Sequence, residues 1–137
     1  MILDLLTYLL ASSPLTGLIG TRLYPVRFPQ NVTYPAIQYQ KIDTIPVQSH
    51  QGASALRVSR WQFTIIAQRY SDAQLVLTAF KNRAEYYNRN KATLGGMLGN
   101  TQVDSISVVE GSTADDPVLG YYSEVVDLLI GYRENAV

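Results

Sequence analysis

The sequence predicts an α+β fold: a mainly antiparallel sheet of about four strands, with long projecting strands, and an N-terminal helix and a longer central helix packed on one face. Three observations carry this. Apolar residues recur at helical spacing over 2–10 and 71–88, and they alternate with polar ones over two long segments, 55–69 and 118–133. The predicted elements also follow in the order helix, strand, strand, helix, strand, strand, so one helix crosses between two strand pairs. A chain of 137 residues and 15.2 kDa suits a single domain, 1–137, with one core.

In the first element Ile2, Leu5, Leu6, Leu9 and Leu10 stack on one helical face, and Pro14 and Gly17 are expected to end it. "PLTGLIGTRLYP" then reads as a connector with a short apolar turn at Leu18 and Ile19 and a brief extended piece at Arg22 to Tyr24. Pro35 biases Tyr34 toward extended geometry, and "AIQYQKID" alternates as the first strand. "TIPVQSHQGAS", 44 to 54, with Pro46, Gly52 and a polar cluster, predicts a loop.

The next strand, 55–69, turns Trp61, Phe63, Ile65 and Ala67 to one side. Fifteen residues at about 3.3 Å each would span roughly 50 Å, so part of it must project or bend. Ser71 with Gln74 three residues on is a capping-box pattern, and Ala73, Val76, Leu77, Phe80, Ala84 and Tyr87 form the stripe of a helix over about 71 to 88. "NKATLGGMLGN" reads as a loop, "TQVDSISVVEG" as a strand and "STADDP" as a turn. "VLGYYSEVVDLLIGYR" is the last long strand, with Tyr122, Val126, Leu128, Ile130 and Tyr132 sharing a face.

Composition narrows the function. Eleven basic against eleven acidic residues leave the chain neutral, without the basic excess that grips nucleic acid. With no cysteine there is no disulfide framework, thiolate nucleophile or thiolate metal site, and a reducing cytoplasm is the default. The apolar N-terminus stops well short of the ~20 residues that span a bilayer, so no membrane role is expected.

No chemical signature assembles. His50, the one histidine, lies in a polar loop without a predicted partner, and Asp115 and Asp116 sit in turn composition without the spacing of a calcium loop. Glu110, Glu124 and Asp127 read as carboxylates of exposed strand faces, and Gly95, Gly96 and Gly99 lack the Gly-Lys-Ser/Thr ending of a phosphate loop. The expectation is no catalytic residue, no metal and no cofactor. Arg57, Arg60 and Arg69 lie on one long segment; several copies around an axis could make a basic lumen of them, or they could protect a solvent-facing strand edge.

The N-terminal leucine-rich helix, "LIGTRLYPVRFPQNVTYPAIQYQKI", the strand and helix of "WQFTIIAQRYSDAQLVLTAFKNRAEYY" and the C-terminal strand pair together resemble the tail completion proteins of long-tailed bacteriophages, also called tail terminators or tail-to-head joining proteins. Gly20, Arg22, Tyr24, Pro25, Pro29, Pro35 and Tyr39, then the "YSDA" at 70 to 73, carry most of that resemblance, which spans essentially the whole chain. It implies a structural virion or prophage protein rather than an enzyme. Such a protein forms a ring, commonly a hexamer, at the head-proximal end of the tail tube, ends tube polymerisation and joins the tube to the head-tail connector. The implied partners are further copies of itself, the tail tube protein, the connector protein and DNA passing through the lumen without sequence-specific binding. The implied place is the virion, assembled in the bacterial host cytoplasm.

On this reading Tyr24, Pro25, Phe28, Pro29 and Tyr34 are expected at the subunit interface, because a proline-fixed segment loses little entropy on docking. A rigid connector packed on its own domain is the alternative. His50, Arg57 and Arg60 are expected to face the lumen or a partner. The alternatives of another class are a small cytoplasmic binding module or an enzyme of unknown substrate.

Overall fold

The computed structural model describes the backbone of residues 1–49, 52–116 and 120–133. The N-terminal apolar stretch folds as two helices, α1 (Ile2–Leu10) and α2 (Ser13–Ile19), bent by 89° at their junction. The expected connector is therefore half helical. Ser12 explains this: its Oγ accepts from the Leu15 N–H at 3.4 Å, and Pro14 stands in the first turn of α2, where a missing N–H costs nothing. Gly20, at φ 61°, then ends α2 in a conformation that a side chain would resist.

Six strands, rather than about four, form one sheet in the order β1-β2-β3-β6-β5-β4. The four long ones are β2 (Ala36–Ser49), β3 (Gly52–Ala67), β5 (Thr101–Asp116) and β6 (Tyr121–Arg133). The two that the sequence pattern did not separate from loops are short edges: β1 (Leu23–Pro25), parallel to β2, and β4 (Met97–Leu98), antiparallel to β5. All other pairings are antiparallel. Between β3 and β5, which run parallel with β6 inserted between them, the chain crosses one face as α3 (Tyr70–Arg89).

The 44–54 stretch is not a loop over its described length. The β2–β3 ladder continues through register shifts at 41/43 and 46/48 to Ser49 opposite Gly52, giving a long hairpin. Pro46 is compatible because β1 flanks β2 only at residues 37–39, leaving an outer edge that needs no N–H there. The "STAD" of the predicted turn likewise belongs to β5, which pairs with β6 as far as Asp116 opposite Tyr121.

One face of the sheet carries the helices and the core. Phe63, Ile65, Val103, Ile106, Val126, Leu128 and Ile130 from the strands meet Leu5, Leu9, Leu15 and Ile19 from α1 and α2. The predicted α3 stripe, Ala73, Val76, Leu77, Phe80, Ala84 and Tyr87, is buried throughout. Phe80 stacks on Phe63 at 4.8 Å between centroids, and the Tyr87 hydroxyl donates to the Val103 carbonyl. The capping box does not form. The helix begins one residue earlier, with Arg69 as its cap residue, and the Gln74 amide instead donates to Glu124 at 2.5 Å.

Among the described residues no helix lies on the other face. Along it lie Val58, Arg60, Gln62, Thr64 and Ile66 of β3, opposite Gly131, Leu129, Asp127, Val125 and Ser123 of β6. Most of these are half-buried, so this open face offers mixed apolar and polar surface.

Candidate assembly surface

The proline-rich segment after β1 is clasped to the sheet by backbone and side-chain bonds. Arg22 donates through Nε to the Pro35 carbonyl at 3.0 Å and through Nη2 to the Leu18 carbonyl at 3.1 Å, tying the end of α2 to the start of β2. Pro35 follows a cis peptide bond. Val26 donates its N–H to the Tyr39 carbonyl at 2.8 Å while holding φ at 64°, a costly conformation for an exposed β-branched residue.

A run of rings follows. Tyr24 meets Phe28 at 5.9 Å, Phe28 meets Tyr34 at 6.0 Å, and Tyr34 meets Tyr121 of β6 at 4.7 Å, so Tyr34 reaches past the end of β3. On the helix side of the same sheet end, Tyr70 packs edge-on against Tyr122 at 5.9 Å. Five of the ten tyrosines thus rim the end where β3 stops and β6 starts. Tyr24, Phe28 and Tyr34 remain half-buried, Pro25 and Pro29 are exposed, and Tyr70 is 53% exposed. Burial first, and then the neighbouring Tyr121 hydroxyl, push the Tyr34 phenol above its ordinary pKa.

The structure therefore gathers Tyr24, Phe28 and Tyr34 into one surface and adds Tyr70, Tyr121 and Tyr122, which the sequence reading did not single out as site residues. The Tyr121-Tyr122 pair just after Gly120 was the available signal.

Arg57 and Arg60 do not share a face. The β3–β6 register is unbroken from Leu56 to Ala67, so residues three apart point to opposite sides. Arg60 lies on the open face, donating through Nε at 2.7 Å and Nη2 at 2.6 Å to Oδ2 of Asp127. Arg57 follows the parity of the helix face and donates to the Leu56 carbonyl at 3.2 Å. His50 lies outside the described residues.

Two carboxylates expected on exposed faces are buried. Glu124, 4% exposed, accepts from Gln74 and from Thr113 Oγ1 at 2.7 Å; Asp127, 7% exposed, keeps Oδ1 without a hydrogen-bond partner. Glu110 is exposed and paired with Lys81. Among the described residues no group of three His, Cys, Asp or Glu could hold a metal, and no single helix is long and apolar enough to cross a membrane.

Two outer strand edges carry little pairing. Among the described residues β2 has no strand on its outer side beyond Tyr39, and β4 pairs with only the first two residues of β5. Part of the β5 edge is closed by Asn88 of α3, whose side chain donates to the Ile106 carbonyl at 2.7 Å and accepts the Ile106 N–H at 3.0 Å, in place of a neighbouring strand. Beyond that point no strand among the described residues pairs with this edge.

No known family profile and no curated protein sequence matches this chain. Its fold is similar to that of a chain in the virion of a native gene transfer agent particle, with a TM-score of 0.66 and 15% identity over 93% of this chain and 88% of that one.

Proposed function

We propose that this chain is a structural component of a phage-like virion, a tail terminator that assembles as a ring of six copies at the head-proximal end of a tail tube. There it ends tube polymerisation and offers the head connector a surface to dock on. The observation that carries the reading is the likeness of fold, over nearly the full length of both chains, to a virion component of a gene transfer agent particle.

The open outer edges of β2 and β5 support it, because a contact repeated around a closed ring covers edges that a lone chain would expose to any passing strand. The aromatic sheet end, with Tyr24, Pro25, Phe28, Pro29 and Tyr34, is the proposed subunit interface. Its internal ring contacts make it pre-organised, so docking orders little that is not already ordered. Arg60, on the open face, is the proposed lumen residue. Its charge is largely offset by Asp127, which suits a channel that must let DNA slide without gripping it.

The test is to add the purified protein to tail tubes that are still elongating. Arrest of elongation, with new density at one end of each tube in electron micrographs, is the expected result. Continued growth with bare ends contradicts the reading.

A further inference from the structure

A groove of about 600 Å³ runs between the α1–α2 junction and the C-terminal half of α3, lined by Ser13, Pro14, Asn82, Arg83, Tyr86 and Arg89 among others. Arg83 is fixed there. Its guanidinium lies 3.8 Å from the Tyr8 ring centroid and 5.4 Å from that of Tyr86, and its Nε donates to the Tyr8 carbonyl at 2.9 Å while the Tyr8 hydroxyl donates back to the Arg83 carbonyl. Neither Arg83 nor Arg89 has a carboxylate partner among the described residues, although Glu85 lies one turn from Arg89 on the same helix. A guanidinium held in place with its terminal nitrogens unused is ready-made for a carboxylate.

The matching acid lies at the other end of the molecule. Asp115 is exposed at the end of β5, followed by Asp116, and makes no ion pair among the described residues. The base of that hairpin is tied to the first turns of α3 through Thr113, Glu124 and Gln74. From Gln74 to Arg89 the helix rises about 22 Å, so tip and groove cannot meet within one chain. A neutral chain with a basic groove at one end and an acidic tip at the other is complementary to a second copy of itself, head to tail.

We infer that the Arg83–Arg89 groove receives the acidic end of the β5–β6 hairpin, at Asp115, from a second copy of this chain. This rests on the ring reading and names one of its contacts; the contact is heterologous, the kind that closes rings.

The test uses the full chain with Arg89→Glu, Asp115→Arg and the two together, both positions being exposed, with thermal unfolding as a check on folding. Self-association is followed by sedimentation at low and high salt. Each single reversal is expected to weaken association at least about tenfold, and the double reversal to restore most of it. Association unchanged by the single reversals, or not restored by the double, overturns the inference while leaving a ring built on other contacts standing. A chain that stays monomeric at the highest concentration reached also overturns it, and the ring reading then depends on whether tail tubes trigger assembly.

Discussion

At Arg60 and Asp127 the ion pair is lopsided, and the asymmetry predicts how it fails. The Arg60 side chain is 41% exposed and can turn to water, whereas that of Asp127 is 10% exposed and cannot. Removing the arginine strands a buried carboxylate; removing the aspartate leaves a cation that solvent can reach. Arg60→Met is therefore expected to cost about 2–3 kcal/mol, below the full cost of breaking a buried pair because water reaches one side, and Asp127→Asn about 1 kcal/mol. Urea unfolding of the two variants measures the difference, and equal losses would contradict it. Tyr87 gives a second residue-scale expectation. Burial, and next the nearby Asp104 charge, raise its phenol pKa above the free value, and burial raises that of Tyr8 despite the opposing Arg83 charge. A phenol that ionises less readily in the folded chain favours folding fully below about pH 10 and loses that contribution as pH rises through the folded value. Stability should fall on the alkaline side of about pH 10, and less steeply in Tyr87→Phe. That variant should also lose about 1–2 kcal/mol at neutral pH for the unanswered Val103 carbonyl.

At the scale of elements, α3 was the most legible, because its stripe repeats at one period and every residue of it packs on one surface. The long strands were legible in their alternating halves, Trp61 to Ala67 and Tyr122 to Tyr132. Their outer halves were not, because neither keeps an alternation of apolar and polar residues: "TIPVQS" and "STAD" are composed like loops and are held as strand by pairing with their neighbours. Pro14 was misread because the same proline that ends one helix can open the next. The proline-rich aromatics were legible as a group, but their partner Tyr121 lies far along the chain, joined only by the fold. The outer hairpin makes its own prediction. Ile42, Asp43 and Thr44, which follow Lys41 on β2, contribute nothing to the core cluster. Replacing residues 47–56 with Asn-Gly, which joins Pro46 to the Arg57 it already faces, should leave the thermal midpoint within a few degrees and impair assembly on tail tubes. A large loss of stability would show that the hairpin serves the fold rather than a partner.

For the molecule as a whole, one helical layer over one sheet face leaves much unsatisfied: an open sheet face, two partly open edges, an aromatic end and charges separated along α3. Each is a surface that a lone chain would gain by covering, and copies arranged around an axis could cover several together. The central claim is that copies of this chain close into a ring. The most direct measurement is the solution mass by light scattering coupled to size exclusion, with negative-stain images of the same peak. Six copies of 15.2 kDa, about 91 kDa, in particles with a central hole is the predicted result. A 15.2 kDa monomer that forms no ring even when tail tubes are supplied would contradict the account.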